Sequence, residues 1–389
     1  MRLAVPAFTW YAVASLAALV LPACNGCSDQ KIDLVDSALP VEVPRDIGRW
    51  LSMAVTPDGK PAVAYYDVEA DGLGYAVGTI GADGNVTWAK EQVDSFPDEA
   101  GLNPGDAGKY ASLVFTADGT PWIAYQDTTN GTLKVARKGD GAWIAAVADI
   151  GGGARSDAGY WASIAVDSSG NPVVAHYDQG QGALRVARWD GTAFRGSVAY
   201  DGESVTGTDG AVIPGNAGAY ARLRVAPDGT EYVAFYDTAL GALRLARGGS
   251  AGWNVEVVDD EGDVGQWPDL QFAGSVVRIA YQDVGNQDLK IVTGAPGAWN
   301  SEIVDGGEYV GSDIALYEDG SQPAMVYFDG VNNDMKLARK SGNAWVTDTV
   351  TGSEGAMGYH NETVSIGGTR YAACYDFTKK AIWFSALPS

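Results

Sequence analysis

Histidine, cysteine and positive charge are the three things that this sequence has in short supply. Its 389 residues include two histidines, His176 and His360, and three cysteines. Two histidines cannot supply a histidine-rich metal centre or a paired zinc motif, so no metal site is assigned. Lysine and arginine number 26 against 49 aspartates and glutamates, a formal net charge of −23. That charge repels phosphate backbones, so nucleic acid is not an expected partner; divalent cations or basic protein surfaces fit it better, and it also keeps an exported chain soluble.

The N-terminus has the pattern of an export signal. Arg2 precedes an apolar stretch over residues 8–21, which is too short and too early for a good membrane-spanning helix. The quartet Leu21-Pro22-Ala23-Cys24 that follows resembles a bacterial lipobox. The resemblance implies a signal peptide over residues 1–23, lipidation of Cys24, a tether over residues 24–30 and membrane contact through that lipid only. An ordinary secretory signal is the alternative, and Asn25 after the cysteine favours the outer membrane of a bacterial envelope.

A short segment rich in aromatic residues and ending in aspartate recurs seven times. Its aspartates are 60, 51, 59, 46, 46 and 47 residues apart, and they are Asp67, Asp127, Asp178, Asp237, Asp283, Asp329 and Asp376. A repeat of this length with short apolar runs and glycine turns is typical of a β-propeller. The repeat fills the chain, which predicts one all-β domain over residues 31–389.

Each repeat predicts four short antiparallel strands, A to D from the inside out. In the second repeat the apolar runs 111–115, 121–126 and 133–137 and a run from Trp143 are separated by Asp118-Gly119 and Asn130-Gly131, which are hairpin signals. The Asp-Gly turns between strands A and B do not have the spacing of a sialidase Asp-box. They are interpreted as hairpins.

The chain ends predict how the ring closes. The seventh repeat stops after its third strand near Phe384, whereas residues 32–36 resemble the fourth-strand segments 255–259 and 301–305. The N-terminal strand is therefore expected to complete the last blade and to remove an open sheet edge. This topology puts Cys27 near the lower outer rim and Cys374 near the top on the inside of the ring, so no disulfide is expected between them.

The seven aspartates are interpreted as structural. They end strand B on the face that we call the top face, where the D-to-A and B-to-C loops lie, and a carboxylate there can accept hydrogen bonds from backbone N–H groups of an adjoining loop. Five repeats also place a basic residue soon afterwards, namely Lys134, Arg185, Arg244, Lys290 and Lys336. Presence in every repeat favours a role in joining blades over ligand binding, a multivalent lectin being the exception.

Candidate ligand-binding residues lie at the start of strand A. Aromatic side chains recur at Trp50, Tyr110, Trp161, Tyr220, Trp267 and His360, with Gly311 interrupting the set. Two residues later the chemistry varies between repeats, as Ser52, Ser112, Ser163, Arg222, Asp269, Asp313 and Glu362. Aromatic platforms beside varied polar groups suit a single asymmetric ligand. The alternative is that the aromatics pack between blades and the polar residues line a wet channel.

Long acidic loops precede strands A of the second, third and fourth repeats. Asp94, Asp98, Glu99 and Asp106 in the first of these loops could bind calcium, although they follow no EF-hand or nonapeptide spacing. No cofactor is assigned, and calcium stays an open alternative.

The chain as a whole resembles seven-bladed β-propellers of exported bacterial proteins. The segment 184–191 is also similar to repeats of fucose-binding propeller lectins, whose sugar sites carry an arginine, a glutamate and an aromatic residue, although no glutamate recurs in strand C here. These features predict a lipid-anchored, non-catalytic module that binds a protein or a glycan through its top face. One alternative is a glycoside hydrolase or lyase that uses Asp269, Asp313 and Glu362; another is a structural envelope component.

Overall fold

Seven antiparallel sheets form a ring, so the chain is a seven-bladed β-propeller, as the repeat predicts. A computed structural model describes residues 46–96, 104–206, 210–351 and 355–388. The predicted signal peptide, the tether with Cys24 and Cys27, and the closing strand at residues 32–36 lie outside the described residues. Within the described part, no helix is long and apolar enough to cross a membrane.

The first three blades each have four strands. Blade one comprises β1 (Ile47–Val55), β2 (Pro61–Asp67), β3 (Gly72–Ile80) and β4 (Val86–Asp94); blade two comprises β5 (Ala107–Phe115), β6 (Pro121–Asp127), β7 (Thr132–Gly139) and β8 (Ala142–Asp149); blade three comprises β9 (Tyr160–Val166), β10 (Pro172–Asp178), β11 (Ala183–Trp189) and β12 (Phe194–Tyr200). A two-stranded hairpin, β13 (Val205–Thr206) and β14 (Val212–Ile213), projects from the loop that leads to blade four.

Blades four to six repeat this order, and the described part of blade seven has three strands. Blade four comprises β15 (Ala217–Val225), β16 (Glu231–Asp237), β17 (Ala242–Gly249) and β18 (Gly252–Asp259); blade five comprises β19 (Val264–Ala273), β20 (Val276–Asp283), β21 (Asp288–Ala295) and β22 (Ala298–Asp305); blade six comprises β23 (Val310–Asp319), β24 (Gln322–Asp329), β25 (Asp334–Ser341) and β26 (Ala344–Thr349); blade seven comprises β27 (Tyr359–Ile366), β28 (Thr369–Asp376) and β29 (Ala381–Ala386).

The hydrophobic core lies between neighbouring blades. Every residue of β2, β6 and β10 is buried, because these strands are covered on both faces by the adjacent sheets. One cluster joins Tyr75 of blade one to Tyr125 of blade two, and another joins Leu51 of blade one to Phe384 of blade seven. The last blade therefore packs against the first, which closes the ring.

A β-bulge interrupts the inner strand of every blade. Each bulge begins with a glycine of positive φ and has, two residues later, a second residue near φ +50°, such as Gly48 and Trp50 in blade one. A Cβ at Gly265 would lie 2.6 Å from the Cα of Leu243 in the preceding blade, so glycine is what allows the blades to approach. In blade six this motif consists of Gly311 and Asp313, so Asp313 occupies the position that an aromatic residue or His360 occupies in the other blades. The expected alignment, which matched Gly311 with Trp50, was wrong.

Candidate functional site

The seven repeated aspartates shape the turns that follow them. Each accepts a hydrogen bond from the backbone N–H three residues later, as Asp283 does from Asn286 at 2.9 Å and Asp376 from Lys379 at 2.8 Å. The same bond is made by Asp67, Asp127, Asp178, Asp237 and Asp329. This aspartate turn lies within a single blade. Asp178 also reaches the loop from blade two, where it accepts from Gly152 and Asp157.

A different set of aspartates joins neighbouring blades. Four outer strands end in an aspartate that pairs with a basic residue in strand C of the next blade, in the pairs Asp94–Lys134, Asp149–Arg185, Asp259–Lys290 and Asp305–Lys336. Blade three ends in Tyr200 instead, and there Arg244 stacks 5.4 Å from the tyrosine ring and pairs with Asp237. The sequence showed both sets of charges but not which aspartate meets which base.

His176 belongs to one of these buried joints. Its Nδ1 accepts from the Gly159 N–H at 3.2 Å, so its Nε2 carries the proton that faces Asp149 Oδ2 at 3.1 Å. Burial alone would raise the pKa of Asp149, but hydrogen bonds from His176 and Arg185 and the charge of Arg185 hold it below its ordinary value. Cys374 is equally buried, and burial raises the pKa of its thiol to about 12. Neither side chain is available for catalysis.

One cavity of about 130 Å³ opens at the axis. Apart from the three serines Ser52, Ser112 and Ser163, there are ten candidate ligand-binding residues, and nine of them line this cavity. The tenth, Asp269, is 2% exposed and contacts the cavity through Arg222. The residues that follow the bulge positions also line the wall. Six of them are apolar, and the seventh is Asn361.

The aromatic side chains form an arc around this cavity. The distances between neighbouring ring centroids are 5.8 Å for His360–Trp50, 5.4 Å for Trp50–Tyr110, 5.5 Å for Tyr110–Trp161, 4.5 Å for Trp161–Tyr220 and 4.8 Å for Tyr220–Trp267. Each ring is half-buried against its neighbours. The arc is therefore partly a packing feature between blades, and its break at blade six is where the symmetry fails.

Asp313 occupies that break. Its Oδ1 accepts a hydrogen bond from the His360 backbone N–H at 2.9 Å and lies 3.4 Å from His360 Nδ1. The amide nitrogen of Asn361 donates to the Asp313 carbonyl at 2.8 Å, while the buried Asn361 Oδ1 has no hydrogen-bond partner. Sequence reasoning missed Asn361, although its polarity stands out among the apolar residues at matching positions in the other blades.

The serines of the varied set hold blades together. The hydroxyl oxygens of Ser52, Ser112 and Ser163 accept hydrogen bonds from the next blade, at the N–H groups of Leu113, Ile164 and Leu223 respectively. Blade six has Ala315 at the equivalent position. The charged members of the varied set are thus confined to blades four to seven.

A four-residue charge cluster adjoins the axial cavity, which Arg222 and Glu362 line. Asp269 Oδ1 accepts from Arg222 Nε at 2.8 Å and from Arg224 Nη2 at 3.1 Å, and Asp269 Oδ2 accepts from the Leu316 N–H of blade six at 2.8 Å. Glu362 Oε1 lies 3.4 Å from Arg222 Nη2. Desolvation would raise the pKa of Asp269, but the two arginines lower it, whereas desolvation raises the pKa of Glu362 despite Arg222.

The two candidate calcium ligands within the described residues, Asp94 and Asp106, contact other side chains. Asp94 contacts Lys134 and Tyr125, and Asp106 contacts Lys109 and Tyr66. Asp98 and Glu99 lie outside the described residues. In the described ranges, no group of three histidine, cysteine, aspartate or glutamate side chains could hold a metal ion.

Comparison with solved structures shows the same fold at low identity. Polysaccharide lyase Uly1 superposes with a TM-score of 0.52 at 9% identity, covering 86% of this chain and 88% of the lyase. A protein of unknown function from Dyadobacter fermentans gives 0.50 at 11% identity over 78% of this chain and 93% of that one, and the fucose-specific lectin from Aleuria aurantia gives 0.45 at 14% identity over 80% and 97%. No protein-family model and no curated protein matches the sequence.

Proposed function

We propose that this propeller is a non-catalytic binding module that holds part of a protein or a glycan in the axial cavity of its top face. The observation that carries the proposal is the break in symmetry at the cavity: a repeated aromatic arc meets Asp313, Asn361 and Glu362 on one side only. A concave site with aromatic walls and a few convergent polar groups is the usual form of a ligand pocket. A purely structural ring would have no need of this asymmetry.

Asp269, one of the three acids of the enzyme alternative, is poorly placed for hydrolysis or elimination. Its lowered pKa keeps Asp269 ionised, so it has no proton to give, and at 2% exposure it lies behind Arg222 and not on the cavity wall. A Gly-x-Ser-x-Gly pattern at residues 248–252 lies in the turn between β17 and β18, at the end of the blade away from the cavity. The fold likeness to a polysaccharide lyase adds no catalytic residue to this account.

The proposal is tested by screening the purified full-length protein against a glycan array and a peptide array. Trp267→Ala removes a cavity ring, and Tyr309→Ala removes an aromatic residue that is 58% exposed and does not line the cavity. We expect saturable binding that Trp267→Ala weakens at least tenfold and Tyr309→Ala leaves unchanged. Equal binding by both variants would contradict the axial site, and a glycan that is cleaved during the assay would contradict the non-catalytic role.

The proposal includes anchoring of the module in a bacterial envelope through a lipid on Cys24, on the strength of the lipobox-like quartet. Metabolic labelling with a radioactive fatty acid tests it. The label should appear in the full chain and vanish in Cys24→Ser. Unchanged labelling of the variant would contradict the anchor.

A further inference from the structure

The gap in the aromatic arc lies between Trp267 and His360. Trp267 contacts the ring of Tyr220 at 4.8 Å and His360 contacts that of Trp50 at 5.8 Å, but within the described residues no ring contact joins Trp267 to His360. Asp313 stands between them where the other blades have a ring. Each of the two flanking rings thus has a stacking neighbour on one side and faces the blade-six position on the other.

Two residues that line the cavity beside this gap have hydrogen-bond acceptors without donors. Asp313 is 8% exposed, and one of its oxygens, Oδ2, has no hydrogen-bond partner among the described residues. Asn361 is 4% exposed, and its Oδ1 also lacks a partner. An unpaired buried acceptor costs free energy, so Asn361 Oδ1, beside the unpaired oxygen of the cavity-lining Asp313, indicates a site that a donor group from outside completes.

The charge of the cavity favours a cation. Asp313 and Glu362 line the cavity with one arginine, Arg222, which is bound to Asp269. Asp313 has no lysine or arginine partner in the described part of the chain; its one ion-pair contact is His360. The net charge of −23 draws cationic partners toward the whole molecule.

We infer that the gap between Trp267 and His360 binds the guanidinium group of an arginine side chain on a partner protein. The inference rests on the proposed binding function and names its ligand. A guanidinium is flat and stacks on aromatic faces, and it presents several N–H donors in a fork that fits Asp313 Oδ2. A lysine ammonium supplies the charge but is not flat, and a neutral sugar supplies donors but no charge.

Calorimetric titration of the full-length protein with three capped peptides tests the chemistry. The probes are acetyl-Gly-Arg-Gly-amide and its lysine and citrulline analogues, of which citrulline keeps the flat shape of arginine and loses the charge. We expect the arginine peptide to bind at least tenfold more tightly than either analogue. Equal affinities for the three peptides, or no saturable binding of the arginine peptide, would overturn the inference.

Two substitutions test the location of the arginine-binding site. Asp313→Tyr fills the gap with the kind of residue that five other blades have there, and Asn361→Leu copies Leu51 of blade one, so both are compatible with the fold. We expect each to weaken binding of the arginine peptide at least tenfold. Asp348→Asn on the exposed outer strand β26 removes the same charge as Asp313→Tyr and should leave binding unchanged. Wild-type affinity in Asp313→Tyr would place the site elsewhere.

The array experiment separates failure of the inference from failure of the proposed function. A glycan that binds and is lost in Trp267→Ala, with no binding of the arginine peptide, would retain the axial site and overturn the guanidinium as its ligand. No saturable ligand on either array, together with no peptide binding, would overturn both.

Discussion

At the scale of single residues, the cavity is built from side chains on strained backbone. Trp50, Trp161 and Trp267 have φ values of 48°, 47° and 54°, a region in which bulky residues are rare. Such a conformation costs on the order of 1–3 kcal/mol per residue and persists only where the surrounding packing fixes it. The packing between blades therefore stabilises a strained backbone that directs these rings toward the axis.

The ionisation of Glu362 should make stability depend on pH. Its raised pKa means that the folded state holds the carboxyl proton more tightly than the unfolded chain, whose glutamates titrate at about 4.3. Wild-type stability should then fall as pH rises from about 4 toward the folded pKa. Glu362→Gln should not show this fall, because glutamine does not ionise. Urea denaturation between pH 4 and 7 should show the variant gaining on the wild type as pH increases.

Glu203→Gln, at an exposed position, controls for the loss of one negative charge. A constant difference between Glu362→Gln and the wild type across this pH range would show that Glu362 does not titrate abnormally.

Asp149 should be the most costly of the interblade acids to neutralise. Asp149→Asn leaves Arg185 buried without its counter-charge and replaces one of the two acceptor oxygens that serve Arg185 and His176 by an NH2 donor, which should lower the free energy of unfolding by about 3 kcal/mol at pH 7. Because the folded pKa of Asp149 is lowered, the stability that it contributes is present above about pH 4, the unfolded value, and is lost in more acid solution. Denaturation at pH 7 and pH 3 should show the two proteins converging in acid.

The exposed pair Arg195–Asp190 offers the matched control, since Asp190→Asn removes an ion pair that water screens. Equal effects of the two substitutions at pH 7 would contradict a special role for the buried joint.

At the scale of the element, the bulged inner strand is the unit that repeats. Its glycine lets one blade approach the next, and its second positive-φ residue points a side chain to the cavity. Gly265→Ala should therefore be destabilising for two reasons, the strained φ of 107° and a Cβ only 2.6 Å from Leu243. We expect a loss of more than about 2 kcal/mol in a denaturant titration.

Gly274→Ala isolates the first reason. Gly274 has a φ of 64° in the turn of blade five, and nothing lies within 4 Å of the place where its Cβ would be. Its loss should be near 1 kcal/mol. If both alanines cost the same, close approach of the blades does not explain the glycine.

The sequence predicted the elements well and the bulge poorly. Aspartates at a regular period indicated the blades, and 252–259 and 298–305 are fourth strands as expected from the matched segments. Aromatic residues indicate the bulge position in the other blades, but blade six has Asp313 there, which is not aromatic. The glycine two residues earlier would have found it, since Gly48, Gly265 and Gly311 share the same spacing to the bulge residue.

At the scale of the whole molecule, the ring depends on a joint between its first and last described blades. The Tyr375 hydroxyl donates to Asp46 Oδ1 at 2.6 Å, and Asp46 also pairs with Arg49 at 2.7 Å. Blades one and seven thus share a polar contact as well as a core, across 329 positions of sequence. Pairwise contacts of this kind could not be predicted from one sequence, because the period gives the order of the blades but not which side chains meet.

Removing the hydroxyl at this joint should weaken the closed ring. Tyr375→Phe leaves Asp46 Oδ1 without its donor, although Oδ2 keeps Arg49, so we expect a loss of about 1–2 kcal/mol in the free energy of unfolding. Tyr309→Phe, at an exposed tyrosine, should change little. Thermal denaturation of the two variants compares them, and an unchanged melting temperature for Tyr375→Phe would show that the joint contributes nothing to closure.

One measurement tests most directly whether the blade-six gap of the axial cavity is the binding site. It is a crystal structure of the full-length protein with acetyl-Gly-Arg-Gly-amide. The account predicts a guanidinium between the rings of Trp267 and His360, within hydrogen-bond distance of Asp313. An arginine bound anywhere else on the ring, or an empty gap in crystals whose peptide binds in solution, would contradict it.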